Sequence, residues 1–131
     1  MIKKNVLVVG GENIRQEACP LMRELGYEIF EAEGVQRALY IINSSGNGQP
    51  DLIVTAHKMS VQHCGRLIRE LREMGNEIPV VVIGSKPRPE DETELLAYGK
   101  TIFTERNLLT TDSLRQAIKS ITTCEEAALP S

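Results

Sequence analysis

Four short apolar runs and one alternating stretch that suits a sheet edge, Tyr27 to Ala32, constrain this chain more than any other feature. Each is followed by a stretch with helical periodicity. The runs are rich in β-branched residues and are bounded by glycine, proline or polar residues, as expected of buried strands. Strands that alternate with helices through short connections predict an α/β fold, with a parallel sheet covered on both faces. The predicted strands are Asn5 to Val9, Tyr27 to Ala32, Leu52 to Val54, Ile78 to Ile83 and Thr101 to Thr104.

The helical stretches are marked by apolar residues about 3.6 positions apart. The first, Glu12 to Leu25, contains Pro20, so we expect a kink or a loosely packed first half. Thr110 or Thr111 is placed to cap the last helix. Residues 124–131 have little to bury and are expected to fray, which leaves residues 1–123 as the folded domain.

Length and charge limit the classes of function. The 131 residues suit one domain and carry 15 basic and 18 acidic side chains, a net charge of -3. Basic clusters interleaved with aromatic residues are missing, so nucleic acid is not an expected partner. The apolar runs are far shorter than the roughly 20 residues needed to cross a bilayer, so we expect a cytoplasmic protein without a membrane partner. Three widely spaced cysteines fit neither a disulfide framework nor a metal site, so we interpret them as structural thiols.

The stretch from Pro50 to Gly65, PDLIVTAHKMSVQHCG, joins the third apolar run to the polar residues behind it. It resembles the core of receiver domains, the phosphoacceptor modules of two-component response regulators. In that family, Pro-Asp and a hydrophobic strand lead to an acceptor aspartate and a turn like Met-Pro-x-x-Asp-Gly. The resemblance extends from about Lys4 to Ile121. It implies a flavodoxin-like (βα)5 three-layer sandwich with sheet order 2-1-3-4-5.

The positions that carry chemistry in receivers hold other residues in this chain. The resemblance places the acceptor at Ala56, which has no oxygen to accept a phosphoryl group. The acidic pair that holds Mg²⁺ matches Gly10 and Gly11, which leaves Glu12 as the nearby carboxylate. The hydroxyl residue after strand four matches Gly84, with Ser85 next to it.

The end of the fifth strand departs from the family pattern in the same way. The Lys-Pro pair of receivers matches Arg106-Asn107, and the aromatic residue of the receiver switch matches Phe103. We expect no magnesium, no other cofactor and no phosphorylation at a receiver-type aspartate. Asp51 is expected at the opposite end of its strand. Glu12 and Arg106 are candidates for an ion pair across the pocket.

Other chemistry is less well supported by the residues. His57 and His63 are six positions apart across a loop, which is not ligand spacing, so we interpret them as solvated loop residues. Gly10-Gly11 before a helix is a possible phosphate cradle, yet the later glycines of a dinucleotide fingerprint are missing. Catalytic triads and paired carboxylates cannot be assembled, so an enzyme is not expected.

The leading interpretation is a stand-alone signalling domain of the receiver type that acts as a protein-interaction module without phosphorylation. One alternative is a small-molecule or nucleotide sensor that uses the vacated pocket. Another is an unconventional receiver modified at Ser60, Ser85 or a histidine. Receivers pair or bind partners through the helix before strand five, strand five itself and the last helix. In this chain that face would include Glu94, Tyr98, Lys100, Thr101, Arg115 and Lys119.

Overall fold

A computed structural model of the protein describes residues 4–44, 50–56, 64–84, 89–90, 93, 97 and 99–128, with only the backbone for Cys64 and residues 122–128. Within these residues, five parallel strands form one sheet in the order β2-β1-β3-β4-β5. This confirms the predicted fold and strand order. The strands are β1 (Asn5–Val9), β2 (Glu28–Ala32), β3 (Leu52–Ala56), β4 (Val80–Gly84) and β5 (Thr101–Glu105).

Helices cover both faces of this sheet. They are α1 (Glu12–Glu24), α2 (Val35–Ser44), α3 (Cys64–Glu73) and α4 (Thr111–Ala128), and a single 3-10 turn, Arg106–Leu108, follows β5. The predicted helix between strands four and five falls largely outside the described residues. Within the described ranges, the helices are too short or too polar to cross a membrane.

The buried side chains lie in two clusters, one on each face of the sheet. Successive residues of a strand point to opposite faces, so Leu7 packs with α2 and α3 whereas Val8 packs with α1 and α4. We call the cluster against α2 and α3 cluster one and the cluster against α1 and α4 cluster two. Because both faces are covered, the central strands are apolar on both sides, which explains their continuous apolar runs.

The ends of several elements differ from prediction. Strand β4 begins at Val80, because the backbone N–H of Ile78 donates to Asn76 Oδ1 (3.0 Å) within the turn that follows α3. Helix α1 continues through Pro20, and Ile14 and Ala18 in its first half are buried. The first half of α1 is therefore well packed.

The last helix begins at Thr111, behind one of the two predicted capping residues, and ends at Ala128. The N–H of Ser113 donates to Thr110 Oγ1 (3.0 Å) and the N–H of Thr110 donates to Ser113 Oγ (2.8 Å), so Thr110 is the capping threonine. The backbone stays helical to Ala128. Helix thus covers most of the segment expected to fray, while the domain boundary at residue 123 stays a prediction.

Candidate functional site

The carboxyl ends of the central strands meet at one edge of the sheet, where open α/β sheets place their sites. Val9 pairs with Thr55, Ala56 with Ile83, and Gly84 with Glu105. The predicted pocket positions on these strands are therefore neighbours. Ser85 lies outside the described residues.

Gly10, directly after β1, is packed too closely to carry a side chain. A Cβ atom built on it would overlap Ile14 Cγ2 and lie 3.3 Å from Ala56 Cβ. Its φ of +150° is also a value that residues with side chains rarely adopt. The backbone is fixed on both sides, since its N–H donates to Ala32 O (2.9 Å) and its carbonyl accepts from Arg15 Nε (3.0 Å).

Gly11 and Glu12 begin helix α1 and have a different environment from Gly10. Gly11 has a φ of -67° and is the N-cap residue, and a Cβ built on it meets nothing within 4 Å. Glu12 Oε1 accepts a hydrogen bond from Gln16 Nε2 (3.1 Å), one turn further along the helix. The carboxylate of Glu12 is therefore engaged along α1.

Arg106 binds Glu17, which the sequence analysis did not single out. Arg106 Nε lies 2.8 Å from Glu17 Oε2, and Arg106 Nη2 lies 2.7 Å from Glu17 Oε1, a bidentate pair. The predicted pair between Glu12 and Arg106 is wrong. Glu17 lies nearly one and a half helical turns beyond Glu12, on the side of α1 that reaches the end of β5.

This contact changes the proton affinity of both partners. The hydrogen bond from Arg106 lowers the pKa of Glu17, with a smaller opposing effect from burial, and the same bond raises the pKa of Arg106. Both side chains are 43% exposed, so solvent screens the attraction. Exposed pairs of this kind contribute about 0.2–1 kcal/mol to stability.

Apolar groups occupy the positions that the resemblance predicts as acceptor and switch. Ala56 is partly buried and packs against cluster two, and Phe103 is partly buried against cluster one. Phe103 pairs with Val82 in the sheet, and Gly84 beyond it has no hydroxyl. Asp51 lies at the start of β3, as expected, where its Oδ2 accepts from the N–H of Asn5 (2.8 Å).

The predicted partner face is only partly exposed. Thr101 is a correction, because it is 5% exposed and its hydroxyl donates to Gly99 O (2.9 Å), so it cannot present a surface. Lys100 is partly buried with a left-handed φ of +49°, and its Nζ lies 3.7 Å from Glu77 Oε2. Arg115 and Lys119 are exposed on α4, and Arg115 pairs with Asp112.

Several predicted residues cannot be placed. Glu94, Tyr98, His57, Ser60 and His63 lie outside the described residues. Among the cysteines, Cys19 is buried. Its burial raises the pKa of its thiol, and the neighbouring Glu31 carboxylate adds a smaller effect in the same direction. Among the described side chains, no group of three or more His, Cys, Asp or Glu residues is arranged to hold a metal ion.

Comparisons with known proteins find likeness in structure alone. No family model matches the sequence, and no curated protein matches it either. The chemotaxis response regulator CheY4 of Vibrio cholerae is 20% identical, with a TM-score of 0.75 over 92% of this chain and 99% of that chain. A response regulator receiver domain from Clostridium thermocellum is 17% identical, with a TM-score of 0.80 over 96% and 99%.

A third solved structure agrees with these two. The receiver domain of the Francisella response regulator 1452 is 22% identical, with a TM-score of 0.76 over 97% of this chain and 100% of that chain. The chain has the receiver-domain fold. Within that fold, Gly10, Ala56 and Gly84 lie together at the edge where the sequence resemblance placed the acceptor pocket.

The same substitution at the two adjacent glycines is predicted to have effects of very different size. Gly10→Asp forces a side chain into an occupied space with an unfavourable φ, so we expect it to lower the free energy of unfolding by about 1–3 kcal/mol. Gly11→Asp is the matched control and should change it by less than about 0.5 kcal/mol, because aspartate suits an N-cap. Urea denaturation of both variants measures this, and equal effects would contradict the crowding at Gly10.

The lowered pKa of Glu17 predicts a pH-dependent contribution to stability. A carboxylate whose folded pKa is lower than its unfolded value stabilises the fold above the unfolded pKa and loses that effect as pH falls through the folded pKa. Glu17→Gln should therefore cost about 0.2–1 kcal/mol at pH 7, and the difference from wild type should shrink as the pH falls below 4.5, the ordinary pKa of a glutamate side chain.

Denaturant unfolding at several pH values tests this, with the exposed Glu33→Gln as control. A Glu17→Gln deficit that is the same at pH 7 and in acid would contradict the charged pair with Arg106.

Proposed function

We propose that this protein is a signalling domain of the receiver type that binds other proteins without being phosphorylated, and that it is not an enzyme. The observation that carries the proposal is the close packing of Gly10 against Ala56 and Ile14. In the receiver resemblance, positions 10 and 56 belong to a pocket for Mg²⁺ and a phosphoryl group. Here a Cβ at residue 10 already overlaps its neighbours, and residue 56 ends in a methyl group.

The residues at this edge do not fit a magnesium site. Mg²⁺ requires an octahedral shell of hard oxygen ligands, usually with one or two carboxylates. Of the nearby side chains that are described, Glu12 supplies the one carboxylate on the first turn of α1, and it binds Gln16. Arg106, at the position of the receiver lysine, is held by Glu17. Glu12 and Arg106 are therefore both bound by other side chains of the same protein.

The proposed partner surface is the outward side of α4. Arg115 and Lys119 are one helical turn apart there, while Leu114, Ala117, Ile118 and Ile121 on the opposite side are buried. This cationic stripe, in which Arg115 also pairs with Asp112 of the same helix, favours an acidic protein surface, either on another protein or on a second copy. Glu94 and Tyr98, which lie outside the described residues, remain predicted members of this surface. Thr101 is excluded by its burial.

A titration with Mg²⁺ and beryllofluoride, a mimic of the phosphoryl group, tests independence from phosphorylation. We expect no saturable change in the backbone amide resonances of Ala56, Gly84 and Phe103. The matched variant is Gly11→Asp/Ala56→Asp, which places carboxylates at the acceptor position and at an open position beside it. We expect this variant to gain a saturable response. A saturable response of the wild type would overturn the proposal and favour an anion-sensing pocket.

Reversing the charge of the α4 stripe tests the partner surface. We expect Arg115→Glu/Lys119→Glu to weaken self-association in sedimentation velocity and to lose proteins that the wild type retains in a pull-down, because two attractive contacts become repulsive. The control Lys4→Glu/Arg69→Glu reverses two exposed charges elsewhere in the protein, and its net charge equals that of the α4 variant. Identical association and retention by the wild type and the α4 variant would contradict this surface.

A further inference from the structure

Two carboxylates on one side of α1 bind both ends of the connection between β5 and α4. Glu17 and Glu24 are seven residues apart, which places them two turns apart on the same side of a helix. Glu17 accepts the bidentate contact from Arg106, and Glu24 Oε2 accepts a hydrogen bond from Thr111 Oγ1 (2.9 Å). Arg106 starts the 3-10 turn and Thr111 starts α4, so the whole connection is tied to α1.

Two leucines lie in sequence between the residues that make these polar contacts. Leu21 lies between Glu17 and Glu24 on α1, and Leu109 lies between Arg106 and Thr111 in the connection. Both leucines are partly buried and pack against cluster two. We call this arrangement the α1 seam, and its members are Glu17, Leu21, Glu24, Arg106, Leu109 and Thr111.

The connection has modest internal support. Residues 106–108 form a single 3-10 turn. The N–H of Leu109 closes it by donating a hydrogen bond to the carbonyl oxygen of Arg106 (3.2 Å). Leu108 is 63% exposed, so it adds little burial. Short 3-10 turns have poor hydrogen-bond geometry. The position of the connection therefore depends on the side chains that tie it to α1.

We infer that the α1 seam is a latch that holds the connection from β5 to α4, and with it the outward side of α4, in one position without a bound phosphoryl group. The inference deepens the proposed function, on which it rests for the role of α4 as partner surface. The latch itself is a property of the resting fold. Its members come from segments that are distant in sequence, since Glu17 and Arg106 are 89 residues apart.

Amide hydrogen exchange of the unliganded protein tests the latch. The reporter amides are Leu109, Ser113 and Leu114, whose hydrogen bonds lie in the connection and the first turn of α4. Glu17→Gln should accelerate their exchange about two- to fivefold. Exchange in the central strands β1 and β3 should stay unchanged.

Two further variants separate the latch from general effects of charge. Asp112→Asn breaks the exposed pair with Arg115, which lies within α4, and should leave Leu109 unchanged. The charge exchange Glu17→Arg/Arg106→Glu should restore slow exchange, because it recreates an ion pair between the same positions. Failure of this rescue, with rates equal to those of Glu17→Gln, would overturn the latch.

Cooperation between the two polar contacts is the second part of the test. If the seam acts as one unit, Glu17→Gln combined with Thr111→Val should accelerate Leu109 exchange by a factor different from the product of the single effects. Unchanged reporter amides in Glu17→Gln, or equal acceleration throughout the sheet, would overturn the inference. These measurements use no Mg²⁺ or phosphodonor, so a wild-type response to beryllofluoride would overturn the proposed function and leave the latch intact.

Discussion

The parallel pairing of β1 with β3 at the centre of the sheet is the constraint on which the rest of the site depends. It sets the chain after β1 beside Ala56, and because Ile14 of α1 packs against the same point, residue 10 has no space for a side chain. Glycine satisfies both the spacing and the φ of +150° at this position. The edge of the sheet that holds the acceptor pocket in the receiver resemblance is therefore closed by backbone packing and by a methyl group.

Charged side chains around this edge are used to hold secondary structure together. Arg15 ties α1 to the backbone of Gly10, and Glu17 ties α1 to the turn after β5. Each contact joins elements that are distant in the sequence or differently oriented in the fold. A guanidinium that is held by a carboxylate stabilises the scaffold, which is consistent with a domain that acts through its surface.

Local sequence patterns predict this structure best where they favour the same arrangement as the tertiary packing. The apolar runs identified β1, β3 and β4, because a strand buried on both faces needs apolar residues throughout. The largely exposed edge strand β2 was predicted from the alternation of its polar and apolar residues. The threonine cap and the inward side of the last helix were also predicted, since both depend on neighbouring residues. The contact between Glu17 and Arg106 was missed because 89 residues separate the partners. The seven-residue spacing of Glu17 and Glu24 indicates that both lie on one side of α1, although it does not identify the partner of either residue.

The order of strands and helices follows from the sequence alone, through local residue type and periodicity. The receiver resemblance added the expected sheet order and the expectation that Ala56 stands at the acceptor position. Only the tertiary structure decided that Gly10 is crowded whereas Gly11 is open, and that Arg106 binds Glu17 instead of Glu12. It also decided that Thr101 is buried. These properties depend on distances between segments that fold together from different parts of the chain, and no local pattern contains those distances.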